Sequence, residues 1–170
     1  MTASEFTTAI QSLIPSKDNF YNLPKDFMEI YISQLSIRKK GNSIDVPPED
    51  AVIDLVMNYD VSNLTIGIFS FKNELIENDN FIFFGTREAF PIAISKKSKE
   101  IVEIDWADEN RVISFIAKNQ SNFLCLLISI EELNQKLTFG LIDSNIYRDA
   151  IVSLYEIAGG IKYKNQLEDL

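Results

Sequence analysis

Short apolar runs separated by polar turns dominate the middle of the chain. Between residues 81 and 127, the segments FIFFG, PIAIS and IVEIDW are rich in Ile, Val and Phe and are bounded by Gly, Pro, Ser, Lys or Asp, which is the pattern of strands. RVISFIA follows as a β-rich crossing, and a helix is then predicted to open at Ser121 and carry Phe123, Leu124, Leu127, Ile130 and Leu133 on one face. Connections this short exclude the crossover of about a dozen residues that a parallel neighbour needs, so the strands pair as antiparallel hairpins. Gly85 fits a left-handed or bulged position in the first hairpin. The polar turn from Ser95 to Glu100 places lysines at a hairpin tip, where they oppose edge-to-edge association.

Helical spacing governs the flanks. Phe6, Ile10, Leu13 and Ile14 predict a helix from Ser4, its N-cap, to Ile14, stopped by Pro15. After the polar turn SKDNFYN, Pro24 suits the first turn of a second helix that buries Phe27, Ile30, Tyr31 and Leu35 and ends at Arg38-Lys39-Lys40-Gly41-Asn42. Pro47-Pro48-Glu49-Asp50 opens a short helix through Val52, Ile53, Val56 and Met57, although AVIDLVM also reads as a buried strand. LTIGIFSF is a strand and KNELIENDN the loop behind it. Asn145 caps a last helix through Tyr147, Ile151, Leu154, Tyr155 and Ala158, closed by Gly159-Gly160, and residues 161–170 either fray or dock. The predicted fold is α+β: one domain over residues 1–170, with a mainly antiparallel sheet of about four to six strands flanked by helices at both ends.

Composition adds limits. At 170 residues and 46% hydrophobic content, the chain can bury roughly 70% of its unfolded surface and needs no second domain. It shows neither a signal-peptide pattern nor an apolar run of membrane-spanning length, so the expectation is a cytoplasmic protein with no membrane partner. Cys125 stands alone in FLCLLISI and is expected to be a buried small hydrophobe. The chain has no histidine, which removes the usual general base and the commonest transition-metal ligand. No phosphate-binding or calcium-binding loop motif occurs, and Glu74, Glu77 and Asp79 read as a solvated loop. No cofactor, no metal and no catalytic residue is implied.

A net charge of −9 disfavours direct nucleic-acid binding and favours a basic protein partner. The densest acidic grouping surrounds Trp106. Strand alternation places Glu103 and Asp105 on one face and Val102, Ile104 and Trp106 on the other, which makes Trp106 a core anchor. The candidate partner-binding residues are therefore the outward-facing Glu100, Glu103, Asp105, Asp108 and Glu109.

The order of these segments also carries a likeness. A Leu23-Pro24-x-x-Phe27 helix start, a strand ending Phe83-Phe84-Gly85, the strands PIAIS and IVEID, and the closing Ile116-Ala117, polar spacer, Phe123-Leu124 together resemble the SUKH superfamily over residues 5–137. Residues 138–170 are expected to form a C-terminal helical extension. The chain departs from the family pattern at Gly41-Asn42, where Asn-Gly is usual, and at Thr86-Arg87-Glu88-Ala89, where acidic and glycine residues are usual. The resemblance implies a mainly antiparallel sheet flanked by helices. It also implies an immunity protein that neutralises a polymorphic toxin, often a nuclease, or an intracellular scaffold or regulatory adaptor of the same fold. A carboxylate-dependent enzyme is the third reading and requires two or more carboxylates converging in one pocket. The sequence leaves the oligomeric state open.

Overall fold

The computed structural model describes residues 1–16, 24–165 and 167, and the turn expected over residues 16–22 lies outside them beyond Ser16. The chain folds as an α+β structure in which a six-stranded antiparallel meander carries helices from both ends of the sequence. Among the described residues no helix is long and apolar enough to cross a membrane.

Helix α1 (Ala3–Leu13) begins two residues earlier than a cap at Ser4 would give, because Thr2 and Glu5 form a reciprocal capping box. Thr2 N–H donates to Glu5 Oε2 at 2.8 Å and Glu5 N–H to Thr2 Oγ1 at 3.3 Å, satisfying two otherwise orphaned donors. Phe6 and Ile10 are fully buried as expected. Helix α2 (Lys25–Gln34) follows Pro24, but its expected apolar face is only half used. Tyr31 and Leu35 meet the core, whereas Phe27 and Ile30 are 37% and 58% exposed.

Arg38-Lys39 does not end that helix. It forms the two-residue strand β1 (Arg38–Lys39), paired antiparallel with β2 (Tyr59–Asp60). The helix terminus that receives a basic residue is that of α3 (Ala51–Asn58), where Lys40 Nζ donates to the Val56 carbonyl at 2.8 Å. The other end of α3 is capped from a distance. Gln120 Oε1 accepts from Val52 N–H at 2.9 Å and Ile53 N–H at 3.2 Å, while its Nε2 donates to Asp50 Oδ1 at 2.8 Å.

The meander runs β3 (Thr65–Ile66), β4 (Phe69–Glu77), β5 (Phe81–Arg87), β6 (Phe90–Ser95), β7 (Ile101–Asp105) and β8 (Asp108–Ala117), each paired with the next. LTIGIFSF is thus two strands rather than one, divided at Gly67, whose φ of +57° only glycine adopts cheaply. KNELIENDN is not a loop throughout, since β4 continues to Glu77 after a register shift. Gly85 sits at a bulge between β5 and β6, in ordinary rather than left-handed backbone. It is needed for close approach, because a Cβ there would lie 2.2 Å from the Ser70 carbonyl oxygen.

One sheet face is covered by helices. Phe69, Phe71 and Phe84 meet Phe123 of α4 (Gln120–Thr138), with edge-on or tilted rings 5.5–6.4 Å apart. Asn119, not Ser121, caps α4 by accepting from Asn122 N–H at 2.8 Å. Cys125 is half-buried on this helix, since it falls beside rather than on the stripe of Leu124 and Leu127. Asp143 rather than Asn145 caps α5 (Ser144–Ser153). A break at Leu154 then leads to α6 (Tyr155–Ala158), which ends at Gly159 and Gly160, both at positive φ. Beyond them the chain docks through buried Tyr163 and Leu167.

Candidate partner-binding hairpin

The opposite sheet face carries a second, smaller core of Phe81, Phe83, Ala93, Val102 and Ile104, with Val112 against it. It brings β5 together with the β7–β8 hairpin, two strands away. Three register shifts along β7 and β8 provide the bend, since each bulge adds twist to the strand that holds it. The turn itself makes them necessary. Asp105 pairs with Asp108, leaving Trp106 and Ala107 as a two-residue loop in which neither takes positive φ. Such a turn splays its strands unless the ladder adjusts. Asn80 Nδ2 donates to Asn110 Oδ1 at 3.0 Å and ties the hairpin to the start of β5. Asp105 and Asp108 each fold back on the backbone, accepting from Ala107 N–H at 2.9 Å and Asn110 N–H at 3.0 Å. The tip is therefore held from both sides.

The five acidic residues separate into distinct roles. Glu103 does not face outward: it is 3% exposed and shares the helix-covered face with Ile101. Its Oε2 lies 3.3 Å from Arg87 Nη1 and accepts from Ser114 Oγ at 2.6 Å. A carboxylate so paired holds β5, β7 and β8 together and is unavailable to a partner. Glu100, at the far end of the β6–β7 turn, is also engaged. It accepts from Tyr163 Oη at 2.7 Å and pairs with Lys162, whose ammonium stands 3.7 Å above the Phe115 ring. Burial pushes the Glu100 carboxyl up, but the hydrogen bonds from Lys162, Tyr163 and Ser98 outweigh it and hold the group below the usual glutamate range. The same hydrogen bond and burial push the Tyr163 phenol up.

The remaining three gather at the tip. Asp105 is partly covered and pairs with Arg111 at 3.3 Å. Asp108 and Glu109 are exposed. Between them and Asp105 stands Trp106, which is 74% exposed, more than any other large apolar side chain among the described residues. The expectation of a core anchor fails because strand alternation ends at Asp105, so the indole belongs to the turn. The sequence signal was Trp-Ala enclosed by two aspartates, each able to bond its own backbone two residues on. Ile113, Phe115 and Ile161 are also exposed.

No group of three or more His, Cys, Asp or Glu among the described residues could hold a metal ion. No family model, no curated protein and no solved structure matches the chain.

Proposed function

We propose that the chain is a protein-binding domain of the immunity type, which neutralises a basic toxin domain by docking the β7–β8 tip against it. The observation that carries the reading is Trp106, exposed on a braced turn and flanked by the exposed Asp108 and Glu109. An indole in water gains most by entering a partner's pocket, and tryptophan is among the residues that carry most binding energy at interfaces. Bracing of the turn by Asp105 and Asp108 lowers the ordering cost of that step. The neighbouring carboxylates pair with cationic side chains at the rim, and the net charge of −9 draws a basic partner in. The resemblance to the SUKH superfamily supports the toxin class, and a nuclease domain, whose phosphate-gripping surface is basic, fits this charge.

The test is protection. Cells producing each toxin domain encoded beside this chain should survive when the chain is co-expressed and die when it is absent. Survival with none of them would remove the immunity reading, whereas co-purification with housekeeping proteins and no protection would indicate the adaptor.

A further inference from the structure

A cleft of about 390 Å³ lies between α2, residues 65–67, α4 and α5, away from the hairpin. Phe27 and Tyr31, stacked with ring centres 5.7 Å apart, form one wall, and Tyr147 of α5 contributes to another. Glu131 lines it and is 3% exposed. Its Oε1 accepts from Tyr31 Oη and from Gln135 Nε2 at 3.2 Å, while Tyr147 Oη donates to Asn134 Oδ1 at 2.8 Å. The ion pairs of the described residues join Arg87 to Glu103, Lys96 to Glu77, Arg111 to Asp105 and Lys162 to Glu100, and none reaches Glu131. Tyr31 and Gln135 both donate to Oε1 and Asn134 also bonds the carboxylate, which leaves about one of its roughly four acceptor sites for a further donor. A buried carboxylate without a counter-charge, beside aromatic rings, is complementary to an organic cation.

We propose that this cleft binds a small organic molecule through a primary alkylammonium group set against Glu131, with its carbon chain between the Phe27–Tyr31 stack and Tyr147. The ammonium supplies the missing charge and donates to the carboxylate, and the rings cover the methylenes. Burial already pushes the Glu131 carboxyl up, against hydrogen bonds from Tyr31, Gln135 and Asn134, so a bound cation also favours its ionised form. The purely structural role is a staple: Tyr31 on α2 bonds Glu131 on α4, and Gln135 reaches the Leu13 carbonyl at the end of α1 at 2.6 Å.

The probe is n-butylammonium, titrated into the whole chain by amide NMR, with n-butanol as the neutral control. Saturable shifts centred on Tyr31, Asn134 and Tyr147, absent with butanol, are expected. Glu131→Gln keeps the acceptor for Tyr31 and should weaken binding by about thirtyfold. Thr138→Trp, at the exposed rim of the cleft, should block it in a protein that melts like the wild type. No saturable shift, equal binding of butanol, or unchanged binding by Thr138→Trp would overturn the proposal. A drop in melting temperature for Glu131→Gln together with unchanged Thr138→Trp binding would leave only the staple.

Discussion

Glu103 and Arg87 set the tightest constraint at the residue scale, because one buried carboxylate joins three strands. Glu103→Ala leaves the guanidinium buried without its carboxylate and should destabilise the chain by about 3–5 kcal/mol in urea unfolding. The double change Arg87→Met, Glu103→Leu should recover most of that loss, since an apolar pair of similar size carries no desolvation cost. Gly85→Ala should cost about 2–3 kcal/mol, because its new methyl group meets backbone oxygen, which no rotamer change can move away. Glu100 gives a pH signature. Its folded pKa is lowered, so its contribution is present above the unfolded value of about 4.3 and is lost as pH falls through the lower folded value. The stability gap between wild type and Glu100→Gln should therefore be full at neutral pH and shrink on acidification. These roles were only partly legible in the sequence. Alternation correctly separates Glu103 from Val102, but it does not say which face the helices cover. Two of the partners of Glu100, Lys162 and Tyr163, lie 62 and 63 positions away, beyond any local pattern.

At the scale of elements, the antiparallel meander was readable because each strand is a local apolar run with its own turn residues. What escaped is what distant residues impose. LTIGIFSF breaks at Gly67 where the chain reverses, and Gln120 caps α3 from 68 residues away. Removing that cap by Gln120→Ala should cost about 1–2 kcal/mol in denaturant unfolding, with no effect on the hairpin. The hairpin was missed for a related reason: strand periodicity carried past Asp105 turns a turn residue into a core residue. Helix periodicity held for Phe123, Leu124, Leu127 and Ile130. It also extends to Glu131, seven residues after Leu124, and a carboxylate on a buried stripe is the signal that could have found the cleft.

Charge acts on the molecule as a whole. With a net charge of −9, association with a basic partner should slow as salt rises, because screening weakens long-range attraction more than it weakens packed contacts. Glu109→Lys should lower the association rate and flatten its salt dependence, leaving thermal stability near that of the wild type. Trp106 acts at closer range. Its replacement by alanine leaves the fold within about 0.5 kcal/mol of wild type, since the indole contributes little to either core. The most direct measurement is therefore the survival of cells that produce a toxin domain encoded beside this chain, with wild-type or Trp106→Ala protein expressed to equal levels. Protection by the wild type and its loss in a variant that remains folded are the expected result. Protection by the variant equal to that of the wild type would contradict it.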